Sequence, residues 1–388
     1  MASLAFKVRG QEGAIPAIGL GTATLFDERC TTAVREGIKM GYRYIDTALL
    51  YNNQEAVGEG IAQAIAAGEV TREQLFVVSK VAFYPAEATA DSVDVHIAFE
   101  PTNRKGHAAT LAAVDLCLAK LRLSHVDLML IHNPCTNVDE YQASTCPHNF
   151  ELARARFLPS ERAAILASRL ATAHARFDAA AGEAARAASW RALEEARAAG
   201  KCRFIGVSNY SPYLLRGMEA YATVQPAVNQ LELHPRASSP ALRSLAASMG
   251  MALTAYGSGN SVALEKCPLV AAIAQAHGTS PLKVVLAWTL QRGAGIIPRS
   301  ATPANMRDNL TAGQLKLSAE ELATLDGKNE AHFYCACRGA SPVSRASFFL
   351  SPPRTRTDSL PSPFSLPPLA PDWEPMPLQP PGSKPDRD

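Results

Sequence analysis

Tyr42-Arg43-Tyr44-Ile45-Asp46-Thr47-Ala48-Leu49-Leu50-Tyr51 opens as an aromatic and β-branched run, reaches an aspartate, and turns towards a phenol. A run of that composition reads as a strand with a polar terminus. Taken alone, Asp46 reads equally well as a helix cap and Tyr51 as core packing. Repetition decides the matter: the same unit of apolar strand, polar end and helical pattern recurs along the chain.

Upstream of that stretch, residues 6–16 read as a hairpin turning at 10–13, and 15–21 as a first strand, with a helix over 28–40 stopped by Gly41. Downstream, a helix over 54–67 precedes a strand over 75–80 that ends in Lys80. A helix over 109–121 leads to a strand over 125–131 and His132; a helix over 189–199 leads to a strand over 202–207 and Ser208-Asn209. Helix 212–221, strand 226–235 with Asn229 and Gln230, helix 240–249 and strand 252–255 with Tyr256 follow. Helices over 269–277 and 281–292 then lead to a strand over 295–298 that ends in Arg299-Ser300. Eight strands separated by helices predict a parallel sheet wrapped by helices, an α/β fold of the (β/α)8 or TIM-barrel type, for which about 250 residues is typical. The strand ends of such a barrel share one mouth. Asp46, Lys80, His132, Ser208, Asn209, Gln230, Tyr256 and Arg299 are therefore expected to converge.

Residues 1–339 are assigned to the barrel, with insertions at about 82–107 and 133–188 expected to roof the mouth; the second carries an Ala/Arg-rich helical part over 151–187. Thirteen of the 27 prolines lie between Pro342 and Pro385, so 340–388 is read as a Pro/Ser-rich tail unable to bury enough apolar surface to order itself.

A 47% hydrophobic, 19% charged composition supports a deep core, and a net charge of +2 gives no reason to expect nucleic acid or an anionic membrane as partner. Eight scattered cysteines with no CxxC pair suit free thiols in a reducing compartment. Neither Cys335/Cys337 nor Cys135/Cys146/His148 has zinc-site spacing, and no metal is expected. No secretory signal is read at residues 1–10, and no run reaches the roughly 18 apolar residues of a membrane span. A soluble, cytoplasmic protein is expected.

A tyrosine ordinarily titrates near ~10. A buried lysine beside it favours the phenolate, a carboxylate holds the lysine charged, and a histidine can orient the same substrate oxygen. Tyr51, Lys80, Asp46 and His132 form such a set, suited to protonating a carbonyl oxygen as it gains negative charge. The accompanying hydride requires a cofactor. Gly19-Leu20-Gly21 lacks the third glycine and acidic partner of a Rossmann fingerprint, which disfavours that fold. Side chains at the barrel mouth remain: Asn209 and Gln230 for a carboxamide, Tyr256 for a nicotinamide ring, Arg299-Ser300 for a phosphate.

The blocks Pro16 to Thr22, Ile45-Asp46-Thr47-Ala48 with Tyr51, Asn53, Val57 and Gly58, Val78-Ser79-Lys80 and Val126 to His132 resemble the aldo-keto reductase family. So do Ile205 to Asn209, Val228 to Pro235 and Ile297 to Ser300, and the likeness runs from about residue 6 to 329. It implies a catalytic tetrad of Asp46, Tyr51, Lys80 and His132. It also implies a cofactor-binding set of Gly21, Thr22, Asp46, Ser208, Asn209, Gln230, Tyr256, Arg299, Ser300 and Asn309. The activity implied is NADPH-dependent reduction of aldehydes or ketones, with NADH a possible donor, by a monomer. Four positions depart from the family pattern: Arg299 stands for a lysine, Asn305 for an arginine, Ala23 for an aromatic residue and Asn133 for a tryptophan. The enlarged loops and the tail leave a second reading open, a catalytically weak nicotinamide-binding regulatory subunit such as some members form for membrane channels. Turnover of NADPH with a generic aldehyde separates the two.

Overall fold

Strands rich in Val, Ile and Leu with no polar face must be covered on both sides, and a parallel barrel with an outer ring of helices provides that cover. The computed structural model describes residues 4–86, 101–135, 179–258, 267–328 and 376–377. An antiparallel hairpin, β1 (Leu4–Lys7) and β2 (Ala14–Pro16), pairs Phe6 with Ile15. Eight parallel strands follow in sequence order: β3 (Leu20–Gly21), β4 (Tyr44–Asp46), β5 (Phe76–Val81), β6 (Val126–Ile131), β7 (Cys202–Ser208), β8 (Val228–Glu232), β9 (Ala252–Tyr256) and β10 (Ala294–Ile296). Parallel bridges from Ile18 to Ile296 and from Gly21 to Arg299 join the first strand to the last and close the ring.

The helices between them are α1 (Asp27–Met40), α2 (Gln54–Ala66), α3 (His107–Leu121), α4 (Ala179–Ala198), α5 (Pro212–Gly217), α6 (Pro240–Met249), α7 (Pro268–Ala276) and α8 (Pro281–Gln291). After β10 come α9 (Pro303–Leu310) and α10 (Ala319–Asp326), neither anticipated from the sequence. Gly41 ends α1 as expected: at φ 111° its N–H reaches the carbonyls of Gly37 and Ile38, a left-handed closure that glycine makes without strain. Among the described residues no single helix is long and apolar enough to cross a membrane.

Alternation along each strand divides the interior in two. Val77, Val81, Met129, Ile131, Ile205 and Val207 face the helices and build the larger core with Val57, Ile61, Val114, Trp190 and Trp288. Phe76, Val78, Leu128, Leu130, Phe204 and Val228 face the barrel axis, above a floor of Phe6, Val8 and Ile15 from the hairpin. Because side chains repeat every second residue, Lys80 continues the inward series of Phe76 and Val78. Asp46 likewise continues from Tyr44, Ser208 from Phe204 and Gln230 from Val228. The inward face is full: a Cβ on Gly206 would meet the Val228 carbonyl oxygen at 2.6 Å and the Leu130 side chain at 2.8 Å.

Some expected boundaries shift. The strand anticipated at 15–21 is two pieces, Ala14–Pro16 in the hairpin and Leu20–Gly21 in the barrel, since Pro16 has no N–H with which to extend a ladder. Helix α4 begins at Ala179 rather than at 189, because an Ala-rich run of strong helix formers continues through residues assigned to the insertion. Residues 212–221 form α5 plus a 3-10 turn (Met218–Ala220), and β8 stops at Glu232, ahead of the turn Pro235–Ala237. Residues 87–100 and 136–178 of the two insertions lie outside the described residues, as does 340–388 apart from Met376–Pro377. Met376–Pro377 forms β11, antiparallel to β1.

Candidate active site

The inward alternation ends in polar residues at the carboxyl ends of the strands. Lys80, on β5, is fully buried; its ammonium donates to Asp46 Oδ1 at 2.5 Å, to the Thr47 carbonyl at 2.9 Å and to the Tyr51 hydroxyl at 3.1 Å. The same nitrogen sits 4.6 Å from the centre of the Tyr51 ring. Gln230 Nε2 donates to the second oxygen of Asp46 at 2.7 Å, so the carboxylate is held from both sides. His132 follows β6, its ring edge-on to that of Tyr51 with centroids 5.6 Å apart.

Local sequence explains where Tyr51 stands. It ends a 3-10 turn (Leu49–Tyr51), and Asn52, at φ 50°, closes that turn by donating its N–H to Leu49. Asparagine is among the few residues that tolerate this left-handed conformation. Asn53 anchors the turn beneath, donating to the carbonyls of Thr22 and Leu25, both at 2.8 Å, and accepting from Thr47 Oγ1 at 2.9 Å.

A second run of hydrogen bonds crosses the mouth. Tyr256 donates to Asn209 Oδ1 at 2.6 Å, and Asn209 Nδ2 donates to the His132 carbonyl and to Ser208 Oγ, each at 3.1 Å. Ser208 Oγ donates to the Gln230 carbonyl at 2.8 Å. Tetrad and carboxamide-binding candidates thus share one network, linked through Gln230 and Asp46. Thr22 joins it by donating from its hydroxyl to the Asp46 carbonyl at 2.9 Å, and Gly21 pairs with Arg299 across the barrel seam. Arg299 and Ser300 lie apart from this network. Arg299 is exposed and donates to Thr24 Oγ1 at 2.7 Å, and Ser300 bonds within its own turn to Thr302. Asn309 is buried on α9, the helix that follows the last strand.

Charges in this cavity are set by burial and by one another. Burial works against the Lys80 ammonium, but the attraction of Asp46 and Tyr51 outweighs it and leaves its pKa raised. Burial raises the Asp46 pKa, opposed by Lys80 and by the Gln230 hydrogen bond. The stable form of the pair is the ion pair, with the proton on Lys80. His132 goes the other way: burial first, then Lys80 and Lys105, push it well below the ordinary imidazole range, so it stays neutral. Among the described residues its Nδ1, which is buried, has no hydrogen-bond partner.

Asn133, where the family pattern has a tryptophan, is buried, and its Oδ1 accepts from the Cys135 N–H at 2.8 Å. Sequence reading passed over the Thr47 carbonyl, a backbone partner with no residue signature, and Lys105, a lone lysine in a polar loop. Among the described residues no group of three or more His, Cys, Asp or Glu side chains stands ready to hold a metal; Cys146, His148, Cys335 and Cys337 lie outside them.

The geometry has counterparts. The model of the aldo/keto reductase family matches residues 17–330. The chain is 32% identical over 326 residues to the NAD(P)H-dependent D-xylose reductase of Scheffersomyces stipitis, covering 80% of this chain and 90% of that protein. It is 30% identical to the aldo-keto reductase family 1 member A1 of Bos taurus, covering 81% and 86%. Among solved structures it resembles a Bombyx mori aldo-keto reductase in complex with NADP at a TM-score of 0.64 and 26% identity, covering 86% of this chain and 95% of that one. This chain belongs to the aldo/keto reductase family, oxidoreductases that act on carbonyl groups with NADP(H).

Proposed function

We propose that this chain reduces aldehydes and ketones to alcohols with NADPH, that Tyr51 supplies the proton, and that Lys80, Asp46 and His132 prepare it. One observation carries the reading: the Lys80 ammonium bridges the Asp46 carboxylate and the Tyr51 hydroxyl at 2.5 and 3.1 Å inside a closed barrel. An ammonium so placed stabilises the phenolate left when Tyr51 gives its proton to the carbonyl oxygen. Asp46, pinned by Gln230, keeps the ammonium charged and aimed. A neutral His132 is left to donate a hydrogen bond to the same oxygen, and edge contact with Tyr51 sets the angle between the two rings.

The residues present suit a nicotinamide cofactor. Tyr256 is half-buried at the end of β9, a place for a flat ring to stack, and Asn209, Ser208 and Gln230 border it with amide and hydroxyl groups. Arg299 is an exposed cation beside the Ser300 hydroxyl at the last strand, a pair fit for a phosphate. The cofactor, when bound, supplies the hydride to the carbonyl carbon. One chain provides every residue named, which supports a monomer as the working unit. Among the described residues Cys30, Cys202 and Cys267 are free thiols, which supports a reducing, cytoplasmic setting.

Tyr51→Phe tests the assignment. With NADPH oxidation followed over a panel of aldoses, aliphatic and aromatic aldehydes and ketosteroids, the variant is expected to lose about 10²–10⁴-fold in kcat, the worth of a positioned acid. NADPH affinity, read by protein fluorescence, stays at the native value. An equal loss of cofactor affinity contradicts the role. Tight NADPH binding with no turnover of any carbonyl favours the regulatory-subunit reading instead.

A further inference from the structure

Thr47 and Asn53 stand in the block that holds Asp46 and Tyr51, and the chemistry above leaves their side chains unused. Both are buried, at 0% and 3% exposure. Asn53 Nδ2 gives its two hydrogens to the Thr22 and Leu25 carbonyls, each at 2.8 Å, and its Oδ1 accepts from Thr47 Oγ1 at 2.9 Å. A carbonyl only accepts, so the amide has one workable orientation and the Thr47 hydroxyl is the donor. That bond closes residues 47–53 into a ring with Tyr51 on it. The ring is pinned at both ends: Thr47 N–H donates to the Val78 carbonyl on β5, and Val57 N–H on α2 donates to the Asn53 carbonyl, each at 3.0 Å.

Lys80 meets this ring at two points. Its ammonium has three hydrogens, and they go to Asp46 Oδ1 at 2.5 Å, to the Thr47 carbonyl at 2.9 Å and to the Tyr51 hydroxyl at 3.1 Å. Three acceptors fix how the ammonium is turned, so a displaced Thr47 carbonyl also displaces the hydrogen that faces Tyr51. We propose that Thr47 and Asn53 are positioning residues for the reduction: the bond between their side chains sets where the Tyr51 hydroxyl stands relative to the Lys80 ammonium. The proposal rests on the reductase reading above and adds two residues to it. In the reduction the Tyr51 O–H bond breaks as the carbonyl carbon takes the hydride; the proton passes to the carbonyl oxygen, and the phenolate left behind faces Lys80. Attraction between phenolate and ammonium falls with their separation, so a loosened ring leaves the phenolate less supported.

The test follows Tyr51 ionisation by ultraviolet difference titration in the native protein, Thr47→Val, Thr47→Ser and Asn53→Ala, each read against its counterpart carrying Tyr51→Phe. Valine keeps the shape of threonine and removes the donor, whereas serine keeps the donor. The Tyr51 midpoint is expected about one pH unit higher in Thr47→Val, a tenfold loss of support for the phenolate, and at the native position in Thr47→Ser. Asn53→Ala is expected to give at least the same rise. It gives up two further hydrogen bonds, so Thr47→Val, which loses one, decides the matter if the alanine variant does not fold. A Thr47→Val midpoint at the native position overturns the proposal, as does an equal rise in Thr47→Ser, which retains the hydroxyl. The titration needs no turnover, so it stands apart from the reductase reading, which fails separately if native protein oxidises NADPH with no carbonyl.

Discussion

The barrel carries a buried carboxylate at each end, and the two are used differently. At the amino ends of the strands, Asp127 accepts from Arg72 and from Val77 N–H through Oδ2 and from Arg203 through Oδ1, all at 2.9 Å. Its side chain is 2% exposed while those of Arg72 and Arg203 are 16% and 51% exposed, so both cations keep contact with water. At the carboxyl ends, Asp46 also has both oxygens engaged, but its cation, Lys80, is 0% exposed and spends one of its three hydrogen bonds on a half-buried phenol. The lower knot ties strands β5, β6 and β7 together and stops there. The upper one places a charged, dehydrated ammonium against the phenol proposed above to give up a proton. Burial of the cation, rather than of the anion, separates the lower clamp from the proposed reactive centre.

Cutting each knot sharpens the contrast, and the upper one gives the larger effect. Lys80→Met strands the Asp46 charge in the interior, which costs about 3–5 kcal/mol when a buried pair loses one partner, and it removes the support of the Tyr51 phenolate. Urea unfolding and NADPH turnover should fall together. Adding Asp46→Asn removes the stranded charge, so the double variant is expected to regain stability without regaining activity. If activity returns along with stability, the upper pair is only another clamp. Next in size is Asp127→Ala, which leaves the Val77 N–H and two guanidinium groups without their acceptor and is expected to cost about 1–3 kcal/mol in urea unfolding. Its kcat and KM per folded molecule should match the native values. A selective fall in kcat would tie the lower knot to catalysis.

The contrast also marks what sequence reading reaches. Asp46, Lys80 and His132 were legible because each stands where an apolar strand-like run meets a turn, and a closed parallel sheet brings such positions to one mouth. Asp127 sits inside an apolar run, where one acid reads as an interruption; its meaning depends on Arg72 and Arg203, brought from other parts of the chain by strand pairing. Lys105 was hidden for a related reason. It lies in a loop without periodicity, and only the fold turns it inward against Ala82 and Phe83. Gln230 shows a third case: its place at the mouth was legible, but its bond to Asp46 Oδ2, a contact between β8 and β4, was not. Propensity and alternation report which way a residue points, whereas pairing across the barrel reports what it meets.

The smallest expected effect comes from pH, and it separates the two ends once more. His132 is held neutral in the folded chain because burial, Lys80 and Lys105 all oppose its charge, so its folded pKa lies well below the ordinary value of 6.5. In the unfolded chain the imidazole is free to protonate near that ordinary value. Below about pH 6.5 the unfolded state therefore binds a proton that the folded state refuses, and stability falls as pH falls until the folded pKa is reached. One such group contributes a slope no steeper than about 1.4 kcal/mol per pH unit. Urea midpoints measured between pH 5 and 7 should show that His132→Gln flattens the acid-side decline. Asp127→Ala retains His132 and should lower the whole curve while keeping the decline. If both variants keep the native slope, the acid sensitivity belongs to groups elsewhere, and the upper cavity does not hold its imidazole neutral by excluding charge.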